Sequence, residues 1–161
     1  MACPNYPKKA AYKVGFSQTE SNNPWRIAET QSMKDIASKC GWTLVNTDAA
    51  SSASKQVADV QSMIAQKVDL IVLAPREEKK PLVPAVMAAK KAGIPVIAVD
   101  RDLDQSVAKP GRDYVTFIGS DFVDQGHRAA EWLIKPPAAR PKSLSWKHHR
   151  RFARQQSQEG L

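Results

Sequence analysis

The sequence is poor in cysteine, histidine and aromatic residues and has no long apolar run, and each shortage excludes something. Two cysteines, Cys3 and Cys40, allow one disulfide at most and show neither metal-ligand spacing nor a redox pair nearby. Cys40 falls at the end of a helical pattern and is expected to be a small core residue, as free cysteines usually are. His127, His148 and His149 lack zinc partners in the sequence. No apolar stretch approaches the roughly twenty residues that span a membrane. The opening "MACPNYPKKAAYKV" lacks the apolar segment of a secretory signal, so any leader would lie outside this sequence. Glycine is missing where a phosphate-binding loop would need it. At the first strand–helix turn, "SQTESNNPWR" carries Asn, Pro and Trp instead, which disfavours a dinucleotide site or a P-loop. With no nucleophile elbow and no metal-ligand cluster, no catalytic residue, metal or cofactor is expected.

What is present is one domain's worth of ordinary globular sequence, 161 residues that are 42% hydrophobic and 25% charged. The net charge of +8 suggests nucleic acid until its location is considered. From Pro136 onward six Lys/Arg stand against one acid, leaving the rest of the chain at about +3. The body makes no electrostatic case for DNA or RNA, and no nucleic-acid partner is expected.

Apolar runs and helical stripes alternate along that body. "YKVGFSQ" (Tyr12–Gln18) reads as a strand. Asn caps, Pro24 at the first helical position and Gly41 as C-cap bound a helix with apolar positions Ile27, Met33, Ile36, Ala37 and Cys40. "WTLVNTD" is a second strand, and Ser54 to Lys67 a helix with Val57, Val60, Met63 and Ile64 on one face. "VDLIVLAP" and "IPVIAVD" are continuous apolar runs, the mark of strands buried on both faces, with a helix from about Pro81 to Ala92 between them. "YVTFIGS" (Tyr114–Ser120) makes a fifth strand, and "DFVDQGHRAAEWLIK" a fourth helix with Val123, Ala130, Leu133 and Ile134 as apolar members. Alternation at this spacing predicts right-handed crossovers and an α/β, doubly wound parallel sheet.

Ligands of open parallel sheets bind beyond the carboxyl ends of the strands. Those ends carry Ser17-Gln18, Thr47-Asp48, Pro75-Arg76, Asp100-Arg101 and Ser120-Asp121. The informative pairing is "NNPWR" with "VDR". A sugar presents an apolar C–H face and a rim of hydroxyls, so its site needs an aromatic plate beside charged hydrogen-bonding groups. Trp25 supplies the plate, Arg101 a planar donor fork and Asp100 two acceptor oxygens. Together they favour a polyol site.

Three stretches carry a resemblance: "VGFSQTESNNPWRIAET", "KVDLIVLAPREEKKPLVPAVMAAKKAGIPVIAVDR" and "FIGSDFVDQGHRAAEWL". They resemble the periplasmic sugar-binding proteins of ABC transporters, of the ribose-binding type with the type I periplasmic-binding fold, and most of all the galactofuranose-binding members. The resemblance covers about Tyr12 to Lys135. It implies two lobes joined by a hinge and closing on one monosaccharide, a membrane permease as partner, a periplasmic location and no enzymatic activity. Ligand contacts are implied at Asn22, Asn23, Trp25, Arg26, Asp100 and Arg101, and further at Ser17, Gln18, Glu29 and Arg76. Ribose binders have Asn where this chain has Ala74, which argues against plain ribose.

The resemblance also implies an organisation: 1–11 a leader remnant or disordered segment, 12–120 the N-terminal sugar-binding lobe, and 121–135 the first helix of a second lobe. Residues 136–161, "PPAARPKSLSWKHHRRFARQQSQEGL", depart from the pattern where the second lobe's first strand is due. Read across codon junctions, Ala138 to Lys147 can encode "GKAKILELE", and one further shift lets Lys147 to Leu161 encode "GSTTGASPGNNRKKG". Both strings look like the family's continuation, so the tail is read as out-of-frame, disordered sequence and the second lobe as essentially missing. A one-walled site loses the closure that desolvates sugar hydroxyls. The competing function is the effector domain of a sugar-responsive transcription regulator. That reading needs a helix-turn-helix that the eleven residues before Tyr12 are too few to supply.

Overall fold

The computed structural model describes residues 9–76 and 80–135. Its elements run β1 (Lys13–Gln18), α1 (Pro24–Cys40), β2 (Thr43–Asp48), α2 (Ala53–Ala65), β3 (Leu70–Leu73), a 3-10 turn (Lys80–Leu82), α3 (Val83–Lys91), β4 (Val96–Val99), β5 (Thr116–Ile118) and α4 (Phe122–Ile134). The chain divides into two compact units, residues 1–120 and 121–161, described separately below. The readings placed on residues 1–8 and 136–161 lie outside the described residues.

In the first unit five strands form one sheet in the order β2-β1-β3-β4-β5, every pair parallel. This is the expected doubly wound architecture. The order in which successive strands are added reverses at β1, so the loops after β1 and β3 leave the carboxyl edge of the sheet side by side. The strands alternate between two apolar clusters. Ile71, Leu73, Val96 and Ala98 face the larger one, completed by Val60 and Met63 of α2 and by Val86 and Ala89 of α3. Val14, Phe16, Val72 and Ala74 face the smaller one, against Met33 of α1.

The ends of α1 follow the sequence. Asn23 caps the start, Pro24 follows it, and Gly41 closes the helix at φ 68°, the left-handed conformation glycine adopts without strain. Its inward face does not follow. The buried residues are Arg26, Thr30 and Ala37, with Met33 half-buried between them, whereas Ile27 and Ile36 are exposed. Cys40, expected in the core, is exposed. These positions are spaced by 4, 3 and 4 residues, a helical stripe whose first two members are polar. The polar members reach the carboxyl edge of the sheet, where polar partners await them. α4, considered by itself, is capped by Asp121, whose side chain accepts from the Asp124 N–H at 2.9 Å. None of its side chains is buried, including the apolar Val123, Leu133 and Ile134.

No helix joins β4 to β5. The connecting loop instead buries Leu103, Ala108 and Tyr114 in the larger cluster. Asp113 ties it down, accepting from Arg112 Nε at 2.8 Å, the Lys109 backbone N–H at 2.9 Å and Lys90 Nζ of α3 at 2.9 Å. The Arg112 guanidinium, then Lys109 and Lys90, hold the Asp113 carboxyl well below its ordinary 3.8. Burial and the bond to Asp102 push the Tyr114 phenol up.

Two outcomes are expected. Gly15 faces Met63 so closely that an added Cβ would lie 2.6 Å from the thioether sulfur. Gly15→Ala should therefore cost about 2 kcal/mol in chemical denaturation through overpacking. Part of that loss should be recovered when Met63→Ala is added, a non-additive pair. Asp113, depressed by folding, contributes stability that is full above the unfolded value and lost as pH falls below it. Thermal melts should show the native chain weakening below about pH 4. Asp113→Asn should be less stable at neutral pH, and its stability should vary less across the acid range.

Candidate functional site

The residues after β1 and β4 converge on one side chain. Arg26, in the first turn of α1, is 2% exposed despite its charge. Its Nη2 donates to Asp100 Oδ2 at 2.6 Å and its Nη1 to Glu29 Oε2 at 3.0 Å. Both carboxylates are mostly buried. A buried guanidinium is tolerated only when its donors are met by charge, and here two carboxylates from different elements meet it. Gln18, fully buried at the end of β1, backs the cluster. Its Nε2 donates to Glu29 Oε2 at 3.0 Å and Thr30 Oγ1 at 3.2 Å, and its Oε1 accepts the Thr19 N–H at 3.0 Å.

Asp100 reaches Arg26 through an uncommon backbone. Its φ of 63° lies in the left-handed region, where a residue with a Cβ is strained by about 1–2 kcal/mol. The bond from its N–H to the Ile118 carbonyl at 2.9 Å holds the turn against β5. Gly119 lets the two approach, since an added Cβ there would lie 2.2 Å from the Phe117 ring and 3.1 Å from the Asp100 carbonyl. Arg101 follows, its Nε 3.8 Å from Asp100 Oδ2.

The loop before α1 is knitted separately. Asn23 accepts the Arg26 N–H on Oδ1 at 3.0 Å and donates to Glu20 at 3.3 Å and Asn22 at 3.1 Å. Asn22 donates to Glu20 at 3.4 Å. Glu20 also accepts from Ser51, whose loop carries two residues of positive φ, Ala50 and Ser51. The first two strand–helix loops are thereby stitched together through Glu20.

The ten residues singled out in the sequence therefore occupy different settings. Trp25 is 62% exposed and lines a cavity of about 220 Å³ with Phe16, Glu29, Met33, Val72 and Val99. Asp100, Arg101, Glu29 and Arg26 form one charged group, of which Glu29 also lines that cavity. Asn22 and Asn23 lie at the start of the same helix, Asn23 acting as its cap. Gln18 and Ser17 are buried beneath them. The Ser17 hydroxyl and that of its register neighbour Thr47 are buried without a hydrogen-bond partner among the described residues. Arg76 enters through its backbone N–H, which donates to Gln56 Oε1 at 3.1 Å. Sequence reasoning missed Glu20, Ser51 and Gln56. Glu20 had a visible signal, an acid amid Asn residues at a helix start. Ser51 and Gln56 had none. Chemically, the arrangement offers an exposed indole face and carboxylate acceptors beside a guanidinium fork. Among the described residues no three His, Cys, Asp or Glu converge to hold a metal.

The family described as "Periplasmic binding protein domain" matches residues 14–136. The galactofuranose-binding protein YtfQ of Escherichia coli is 36% identical over 132 residues, covering 82% of this chain and 40% of that protein. A Mycobacterium smegmatis protein solved in complex with β-D-fucofuranose superposes with a TM-score of 0.67 at 36% identity, over 76% of this chain and 39% of that one. The binding component of the Shewanella sp. ANA-3 arabinose ABC transporter, bound to α- and β-L-arabinofuranose, gives 0.67 and 36%, over 75% and 39%. The chain thus spans about two fifths of the length of the relatives it matches.

The settings of Arg26 and Trp25 predict opposite sensitivities. Arg26→Ala leaves two carboxylates facing each other in a mostly buried space and should cost about 3 kcal/mol in urea denaturation. Trp25→Ala, at an exposed position, should change stability by less than about 0.5 kcal/mol.

Proposed function

The chain belongs to the periplasmic binding protein domain family, and we propose that it is the solute-binding component of an ABC sugar importer, taking a monosaccharide in furanose form. The observation that carries this reading is exposed Trp25 beside Arg26, whose ion pair with Asp100 ties the start of α1 to the end of β4. A five-membered sugar ring lays its C–H face on the indole. Its adjacent hydroxyls donate to Asp100 and accept from Arg101. Asn22, Asn23, Glu29, Arg26, Ser17, Gln18 and Arg76 complete the proposed contact set or support it from beneath. Three similar proteins are named for, or were solved with, a furanose sugar, which favours that ring form. The protein works by binding and release, without covalent chemistry. It hands its sugar to a membrane permease from the periplasmic side, and in the complete assembly a second lobe closes over the ligand.

A single wall binds weakly, so the test uses high sugar concentrations. The chain is titrated with L-arabinose, D-galactose, D-fucose and D-ribose to about 50 mM, following indole fluorescence and thermal unfolding. At least one sugar is expected to give saturable quenching and a raised melting temperature, with the quenching lost in Trp25→Phe or Trp25→Ala. A flat response to every sugar on both readouts would remove this reading.

A further inference from the structure

Gln56 closes the first turn of α2, on the apolar face toward the sheet, and is fully buried. Its side-chain amide behaves as a piece of backbone. Nε2 donates to the Ala74 carbonyl at 2.8 Å, and Oε1 accepts the Arg76 N–H at 3.1 Å. In a parallel ladder a residue donates to the carbonyl before its partner and accepts from the N–H after it. Gln56 reproduces that pattern on Ala74 and Arg76, with Pro75 between them, a residue that has no N–H of its own. On the same side of the strand, the Ala74 N–H donates to the Ser17 carbonyl of β1 at 3.0 Å, and Gln56 Nε2 lies 3.5 Å from that oxygen, so the amide continues the edge that β1 leaves. The chain leaving β3 is therefore held as a strand for three residues after the ladder of β3 ends at Leu73.

We propose that Gln56 is a positioning residue of the candidate site: its amide acts as a surrogate strand that fixes residues 74–76 against β1 and sets where Arg76 leaves the sheet edge. Its relevance to a solute rests on the function proposed above, whereas the surrogate pairing does not. The chemistry requires an amide. Leucine would leave a buried carbonyl and N–H unmet. A carboxylate would still accept from Arg76 but would set a second lone pair against the Ala74 carbonyl, so glutamate fits only while protonated.

The test is amide hydrogen exchange by NMR on the full chain. In the wild type the Arg76 N–H is expected to be protected. In Gln56→Leu its protection should fall at least about tenfold, while Ile71 and Val72 keep theirs within about twofold. Gln56→Glu supplies the second variant should the leucine fail to fold. It should protect Arg76 near pH 5 and lose that protection by about pH 7.5, a pH profile the wild type lacks. Unchanged Arg76 protection in the leucine variant, or a pH-independent glutamate variant, overturns the surrogate pairing. For a sugar that the wild type binds, Gln56→Glu should weaken affinity severalfold at pH 7.5 and not at pH 5. An affinity unaffected at both pH values overturns the link to the site. A wild type that binds no sugar defeats the proposed function, while the Arg76 exchange still decides the pairing.

Discussion

The guanidinium of Arg26 is the constraint on which the strand-end region depends. It joins the first turn of α1 to the end of β4, two places 74 residues apart in sequence. Removing a charge of this size from water costs several kcal/mol, and only bonded opposite charge offsets it. Each neighbouring feature serves that pairing. Asp100 adopts a left-handed backbone that brings its carboxylate to Nη2. Gly119 leaves room for that turn beside Phe117. Gln18 occupies a remaining lone pair of Glu29, so the second carboxylate has one orientation. The strain at Asp100 is of order 1–2 kcal/mol and is smaller than the cost of an unmet buried charge, which is why the pairing decides the backbone and not the reverse.

The same accounting explains what could be read in the sequence. Strands β3 and β4 are continuous apolar runs because both of their faces are covered, and the crossover spacing follows from short loops around helices. Fold class and element order were therefore legible, and so was the grouping of Arg26, Asp100 and Arg101. The inward face of α1 was not. Apolar pattern alone selects Ile27, Ile36 and Cys40, yet the helix turns Arg26 and Thr30 inward because Asp100, Glu29 and Gln18 await them. Hydropathy cannot register a polar residue that is buried because it is paired. Gln56 was hidden for the same reason, lying on the apolar face of α2 and bonding only to main chain. The loop from Asp100 to Val115 has no apolar periodicity, and its order comes from three buried side chains, Leu103, Ala108 and Tyr114, and from Asp113, which bonds within the loop and to Lys90 of α3.

The two ends of the first unit's sheet differ in chemistry as well as in direction. Toward the amino ends of the strands, a groove of about 460 Å³ is lined mainly by apolar side chains, among them Tyr12, Trp42, Leu70, Pro95 and Ile97. Toward the carboxyl ends, polar residues meet main-chain groups that the ladder no longer satisfies. Gln18 and Gln56 are the inner members of this layer, each fully buried and each bonded to backbone. They make the sheet end rigid without exposing a charge, and the exposed groups around them are held in place as a result.

That arrangement also argues for the kind of solute such an edge can hold. Helix starts at the carboxyl edge of a parallel sheet often bind phosphate through free N–H groups and the helix dipole. Here several of those N–H groups are taken within the chain: Arg26 N–H by the Asn23 side chain, Ile27 N–H by the Asn23 carbonyl, and Lys55 N–H by Ser52. Glu20, Glu29, Asp48 and Asp100 stand among the same strand ends and helix starts, and two of the carboxylates already neutralise the buried Arg26. An anion would meet occupied donors and nearby negative charge. In the function proposed above, a neutral polyol would meet what remains, acceptor oxygens on Asp100 and Glu29 and the open face of Trp25. The absence of a glycine loop and the presence of the Arg26 ion pairs thus point the same way, toward hydroxyl groups and away from phosphate.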